Sequence, residues 1–207
     1  IKFGTFKSDP QKIELVKEAR DYLHRIPYHY KQVYGKRFDE LLSIARRWVL
    51  KEVGISPNGR TNDCLIIYDY FKLMDASSIS GNMAEFQAMG FQASRLHNFS
   101  VEMDCSVLSF VQLNRDGIDK ESSDVISQSD RIGWLCTSFT IFKPKSTEEI
   151  ADDGARNGNR KMVPILSRHG PGMDDNGYIC MNMIGELGRI TEIGTVRNLS
   201  RNRDFSE

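Results

Sequence analysis

An α/β fold built on a mostly parallel sheet is what this 207-residue sequence predicts, and three observations predict it. A short apolar run, Cys64 to Tyr68, ends in a lone acid, Asp69. A second apolar run, Ser106 to Val111, leads directly into Gln112. Between them, from Asn82 to Glu102, Met83, Phe86, Met89, Gly90, Ala93, Leu96 and Phe99 recur three or four apart, which is helical spacing. Strand, helix, strand in that order reads as a right-handed crossover joining two parallel neighbours.

The bulk numbers narrow the classes. A chain of this length can form one α/β domain or two small ones, burying about 70% of its unfolded surface. Lys plus Arg and Asp plus Glu balance at 28 each, so any nucleic-acid surface must be local. No run approaches the roughly 18 apolar residues of a membrane span, and no signal-peptide pattern is present. The four cysteines are widely spaced with no Cys-x-x-Cys pair, which reads as buried thiols in a reducing cytosol rather than a zinc site.

Taken in order, Asp9-Pro10 opens a helix, with Asp9 as N-cap and Pro10 at the first helical position. Ile13, Val16, Ala19, Tyr22 and Leu23 carry its stripe until Pro27 stops it. Ile26 to Tyr30 then reads as extended, and His29 as a surface or half-buried histidine. Phe38, Leu41, Leu42, Ala45, Trp48 and Val49 mark an amphipathic helix closed by Gly54, with Arg46 and Arg47 on a solvated face. The run Cys64–Tyr68 reads as a strand buried on both faces. An acid at its carboxyl end sits where open α/β sheets bind ligands. By itself the pattern is better described as a buried strand that ends in an acid at a loop.

After Gln112 a long polar stretch, Asn114 to Asp130, is either functional or disordered. Ile132–Cys136 and Ser138–Lys143 read as strands. Residues 144–159 read as a flexible insertion. Lys161–Leu166 is a strand that Pro164 places away from the centre of a sheet. With Tyr178–Met183 it forms a carboxyl-terminal β-hairpin. Residues 198–207 read as a frayed tail.

Asp69-Tyr-Phe-Lys-Leu-Met74 followed by Val111-Gln-Leu-Asn-Arg115 resembles the Walker B and Gln-sensor motifs of the DnaB-like replicative DNA helicases, the phage members most of all. Ser127-Gln-Ser-Asp-Arg-Ile132 and Ser167-Arg-His-Gly-Pro-Gly172 extend the resemblance, which spans roughly Leu41 to Ile184. It implies a RecA-like P-loop NTPase core that uses ATP and Mg²⁺. Asp69 would direct Mg²⁺ through water, and Gln112 would sense the γ-phosphate. Arg168 would be an arginine finger reaching into a neighbouring subunit's site; the alternative is a hairpin arginine paired with Asp174 or Asp175. The polar loop, with Arg115, Lys120 and Arg131, would grip the backbone of single-stranded DNA. The implied partners are single-stranded DNA, further copies in a hexameric ring, and a primase or loader. The implied location is the cytoplasm of a bacterial or phage-infected host cell.

Two departures stand out. The family's lysine near the finger is Leu166 here, leaving Lys161 as a stand-in only if strand geometry allows. The family's Gln-Asp-x-Asp pattern appears loosely, as Gln128-Ser-Asp130. A phosphate loop of the form G-x-x-x-x-G-K-[ST] occurs nowhere in the 207 residues, and the first residue is Ile1. The expectation is therefore a single RecA-like domain over residues 1–207, truncated so that its Walker A strand is missing. Its Val111 strand would have an edge covered abnormally, by a rearranged segment or another copy. The function expected is the carboxyl-terminal part of a helicase motor that couples ATP hydrolysis to translocation on single-stranded DNA and duplex unwinding. The alternative is a non-enzymatic RecA-like regulator or loader subunit.

Overall fold

A computed structural model describes residues 5–71, 85–112, 130–170 and 177–195 of the chain. The chain forms two compact units, residues 1–35 and 36–207. The first holds a short 3₁₀ turn, Thr5–Ser8, and helix α1, Pro10–Arg25. The Asp9 carboxylate accepts from the Gln11 and Lys12 N–H groups at 3.0 and 3.3 Å, the expected N-cap. The Ile26 N–H closes the helix on the Tyr22 carbonyl just before Pro27. No residue of α1 is buried, and Leu15, Tyr22 and Leu23 are exposed. Residues 27–30 carry no strand.

The second unit begins with α2, Phe38–Trp48, which loosens into a π-turn, Val49–Val53. Gly54, at φ 81°, ends it where an L side chain would be strained. Leu41, Leu42 and Val49 are buried. Arg46 does not simply face solvent: it pairs with Glu102 at 2.5 Å and lies over the Phe99 ring. Arg95 pairs with Asp39 at 2.5 Å, a second tie between α2 and the crossover helix.

Strand β1, Leu65–Tyr68, helix α3, Glu85–Met103, and β2, Ser106–Ser109, form the expected crossover. The strands are parallel and in register, Leu65 opposite Ser106 through Tyr68 opposite Ser109. Ala88, Ala93, Leu96, Phe99 and Met103 form the buried face of α3. β1 is not buried on both faces. Ile66 and Tyr68 turn inward, while Leu65 and Ile67, with Leu108 and Phe110 from the neighbouring strand, remain 43–54% exposed. A strand needs layers on both sides to be buried twice, and among the described residues one face has no layer. Among the described strands, β2 pairs with β1 alone.

Ile132–Cys136 is not a strand. Asp130–Leu135 forms a short helix, α4; a run this short cannot be told from a strand by periodicity. Four antiparallel strands follow in the order β3-β4-β5-β6: Ser138–Pro144, Arg160–Ser167, Ile179–Ile184 and Arg189–Thr195. The expected hairpin is thus the middle of a larger sheet, and the parallel pair is the smaller of the two sheets. β4 is interior despite Pro164. Its ladder with β5 covers only Arg160 to Met162, so Pro164 lies beyond that ladder, opposite Thr140 of β3 next to the register shift.

Residues 144–159 hold ordered structure instead of a flexible insertion. Helix α5, Thr147–Asp153, starts with a capping box in which Ser146 and Glu149 satisfy each other's N–H groups. Lys145 Nζ, with no side-chain exposure, contacts Asp153 at 2.5 Å, the Asn157 carbonyl at 2.9 Å and Cys180 Sγ at 3.2 Å. The Tyr178 hydroxyl donates to the same Asp153 oxygen at 2.8 Å. Lys161 pairs with Glu149, and both lysines lie over the Tyr178 ring. Gly158 passes so close to β5 that a Cβ would stand 2.2 Å from the Met181 carbonyl oxygen. Residues 198–207 lie outside the described residues.

Candidate nucleotide site

The parallel pair sets the geometry of the site. Asp69 is the first residue after β1, and Gln112 the third after β2. Because the strands are parallel and in register, both side chains stand at the same, carboxyl, end of the pair. Their offset is two residues along the strand direction, about 7 Å at ordinary strand rise. The ladder continues past β1: the Phe71 N–H donates to the Phe110 carbonyl at 2.9 Å. Ser109 Oγ donates to the Tyr68 carbonyl at 3.0 Å. The Asp69–Tyr70 peptide is cis.

Packing beneath holds this edge. The Tyr68 ring meets Phe38 and Phe71 edge-on, with centroids 5.7 and 5.4 Å away. It is buried, its hydroxyl has no hydrogen-bond partner among the described residues, and burial raises its pKa. Asp69 and Gln112 are both exposed. A lone exposed carboxylate suits Mg²⁺, which keeps several waters and takes one or two protein oxygens. A strand-end amide suits a phosphate oxygen, to which its NH₂ can donate.

Arg168 follows β4 and is also exposed. Its guanidinium caps α4: Nε donates to the Cys136 carbonyl at 3.0 Å, and Nη2 to those of Gly133 and Trp134 at 3.1 and 3.2 Å. Its own N–H donates to the Thr137 carbonyl at 2.9 Å. A cation at a helix carboxyl end is favourably placed against the dipole. Asp174 and Asp175 lie outside the described residues. Lys161 does not stand in beside Arg168, because it is buried at 2% exposure and engaged with Glu149. Of the DNA-contact candidates, Arg115 and Lys120 lie outside the described residues, and Arg131 belongs to α4. Tyr68 as the brace under Asp69 was not visible in the sequence as a site residue. The aromatic at the end of the apolar run was the signal available.

No protein-family model and no curated protein matches the chain. Solved structures do. One, of an ATPase domain, superposes with a TM-score of 0.70 at 14% identity, covering 93% of this chain and 64% of that one. A DnaB-like replicative helicase, solved to describe its interactions with primase, gives 0.67 at 13% identity over 88% of this chain and 41% of that one. The chain thus has the α/β fold of RecA-like helicase ATPase domains. It spans less than two thirds of the length of each. No described helix is long and apolar enough to cross a membrane.

Proposed function

We propose that this chain is the carboxyl-terminal part of a DnaB-like helicase motor, in which ATP hydrolysis drives movement along single-stranded DNA and duplex unwinding. The observation that carries the reading is the shared carboxyl-end position of Asp69 and Gln112 on in-register parallel strands of this fold. Mg-ATP, when bound, supplies the phosphoryl group and neutralises its charge. Asp69, at the end of β1, would hold Mg²⁺, whose charge would offset that of the phosphates. Gln112 hydrogen-bonds the terminal phosphate and passes its presence or loss to the loop that follows. Arg168 extends toward the site of a neighbouring copy in a hexameric ring, which requires its guanidinium to leave the α4 carbonyls. Arg115, Lys120 and Arg131 hold DNA phosphates without reading bases. The placement is cytoplasmic, and a primase or loader is a further partner.

Anisotropy titration with a fluorescent single-stranded oligonucleotide tests the DNA side. Binding should weaken with salt, and replacing Arg115, Lys120 and Arg131 together by Ala should flatten the log–log salt slope by about 2. An unchanged slope would refute the assignment. One observation favours the second reading, a non-enzymatic regulator or loader subunit: the 207 residues contain no phosphate-loop motif. Under that reading DNA or partner binding persists without nucleotide.

A further inference from the structure

We propose that Cys64 and Cys105 form an oxidisable dithiol that closes to an intrachain disulfide between the amino-terminal ends of β1 and β2. The parallel ladder opens with Leu65 opposite Ser106, and each cysteine immediately precedes one of these residues. In an in-register parallel pair, aligned side chains share a face. The two sulfurs therefore lie on the inner face, in line with the Ile66–Val107 and Tyr68–Ser109 pairs. Neighbouring strands run about 4.8 Å apart, inside the Cα separation a disulfide accepts, about 4.4–6.8 Å. Both thiols are free and half-buried, and each is close enough to shift the other's pKa.

The backbone around the pair is held in place. The Arg60 guanidinium grips Asp104 at 2.6 and 3.2 Å, and Thr61 Oγ1 donates to the Met103 carbonyl. The Cys105 N–H donates to the Ser100 carbonyl at 3.1 Å, and Ser100 Oγ donates to the Cys105 carbonyl at 2.7 Å. The segment before each cysteine is thus tied to the other. The remaining two thiols have different partners: Cys136 faces the Gly133 carbonyl, and Cys180 faces Lys145 and Asp153.

The oxidant is a small-molecule disulfide of the glutathione class. One protein thiolate attacks a sulfur of that disulfide and expels one small thiolate, leaving a mixed disulfide. The second protein thiol loses its proton and attacks the protein-bound sulfur, expelling the other small thiolate. Two protein thiols are oxidised, one small disulfide is reduced to two thiols, and the protons go to the departing thiolates. Burial raises both thiols, Cys105 to about 11, so thiolate is scarce at neutral pH and the reaction quickens as pH rises. The bond pins the end of the pair opposite Asp69 and Gln112.

The test is oxidation of the whole chain with glutathione disulfide at about pH 8, alkylation of free thiols, and mass spectrometry of a non-reduced tryptic digest. The expected product links the peptide 61–72 to the peptide 96–115, lighter than their sum by two hydrogens, with Cys136 and Cys180 alkylated. The linked chain should melt at a higher temperature, and reductant should reverse the gain. C64S should abolish the link and C136S should leave it intact. Separate glutathione adducts on Cys64 and Cys105, full alkylation of both, or a link chiefly through Cys136 or Cys180 would each overturn the proposal.

Discussion

Asp153→Ala should remove a large share of this chain's stability, although the residue is far in sequence from every candidate site position. The structure fixes the size of the effect. Asp153 is the carboxylate partner of Lys145, whose side chain has no exposure, and it also accepts the Tyr178 hydroxyl. Removing one member of a buried pair leaves an uncompensated charge, at a cost of about 3–5 kcal/mol. Neutralising an ordinary lysine at pH 7 would cost about 4.6 kcal/mol, which caps the penalty. The orphaned hydroxyl adds to it, but not independently. A loss of about 4 kcal/mol, at a urea slope of about 2 kcal/mol/M for a chain of this size, lowers the unfolding midpoint by about 2 M. Asp153→Asn, which keeps an acceptor, should lose less. K145M combined with D153L should recover much of the loss, because matched apolar groups replace buried pairs at little cost. Acid adds an independent signature. Burial alone would raise the Asp153 carboxyl, but hydrogen bonds from Lys145 and Tyr178 outweigh it and hold the group below its ordinary range. Its contribution is therefore present above about pH 4 and fades as pH falls through the lowered folded value. The wild type should lose stability more steeply than D153N below about pH 4. A loss under about 1 kcal/mol for D153A, or no recovery in the double variant, would refute the reasoning.

Four further outcomes are expected. The 207-residue chain alone should not bind Mg-ATP at micromolar concentration, because its sequence holds no phosphate loop; calorimetric titration checks this. In a motor domain that carries such a loop, Asp69→Asn should abolish hydrolysis with the fold intact, and turnover near wild type would remove the Walker B reading. Arg168→Ala should cost the fold only about 1 kcal/mol by urea unfolding, since its α4 contacts are exposed, yet should lower ring ATPase about 10³-fold or more. Mixing it with a phosphate-loop variant should restore some activity, and the absence of rescue at every ratio would count against a finger acting in trans. Tyr68→Phe should be neutral or stabilise by about 1 kcal/mol, because it deletes a buried hydroxyl that has no partner among the described residues; clear destabilisation would mean that the hydroxyl is satisfied in solution.

The crossover was legible because three signals agreed on it: a short apolar run, then helical spacing near 3.6, then a second short apolar run. The strand-end placement of Asp69 and Gln112 was legible for the same reason, since each follows an apolar run at a polar residue. What escaped was long-range. α4 was read as a strand because six residues of mixed polarity carry no decisive period. Residues 144–159 were read as loose because they are polar and glycine-bearing. Their order comes from Lys145 and Lys161 turning inward onto acids of α5, a pairing that only the folded sheet brings together. Pro164 misled because it sits where only one neighbouring ladder runs: it pairs with Thr140 beside a register shift, and the β4–β5 ladder ends before reaching it. The link between Cys64 and Cys105 was hidden because cysteines were judged by sequence spacing, whereas cross-strand register decides which thiols meet.

The same register explains why the candidate site can be held by so small a sheet. Two strands alone are marginal in water, and β1 and β2 carry three large apolar side chains, Leu65, Ile67 and Leu108, on an exposed face. Their alignment must therefore come from the other face. There Tyr68 is wedged between Phe38 and Phe71, and Leu96, Phe99 and Met103 of α3 are buried. The ion pairs Arg46–Glu102 and Arg95–Asp39 tie α2 to α3. They are partly exposed and contribute little energy singly, but they restrict how the two helices slide. Sliding α2 moves Phe38, Phe38 sets the Tyr68 ring, and Tyr68 is covalently next to Asp69. The position of the candidate metal-directing carboxylate is thus governed by helix packing on one side of the sheet more than by the strand ladder itself.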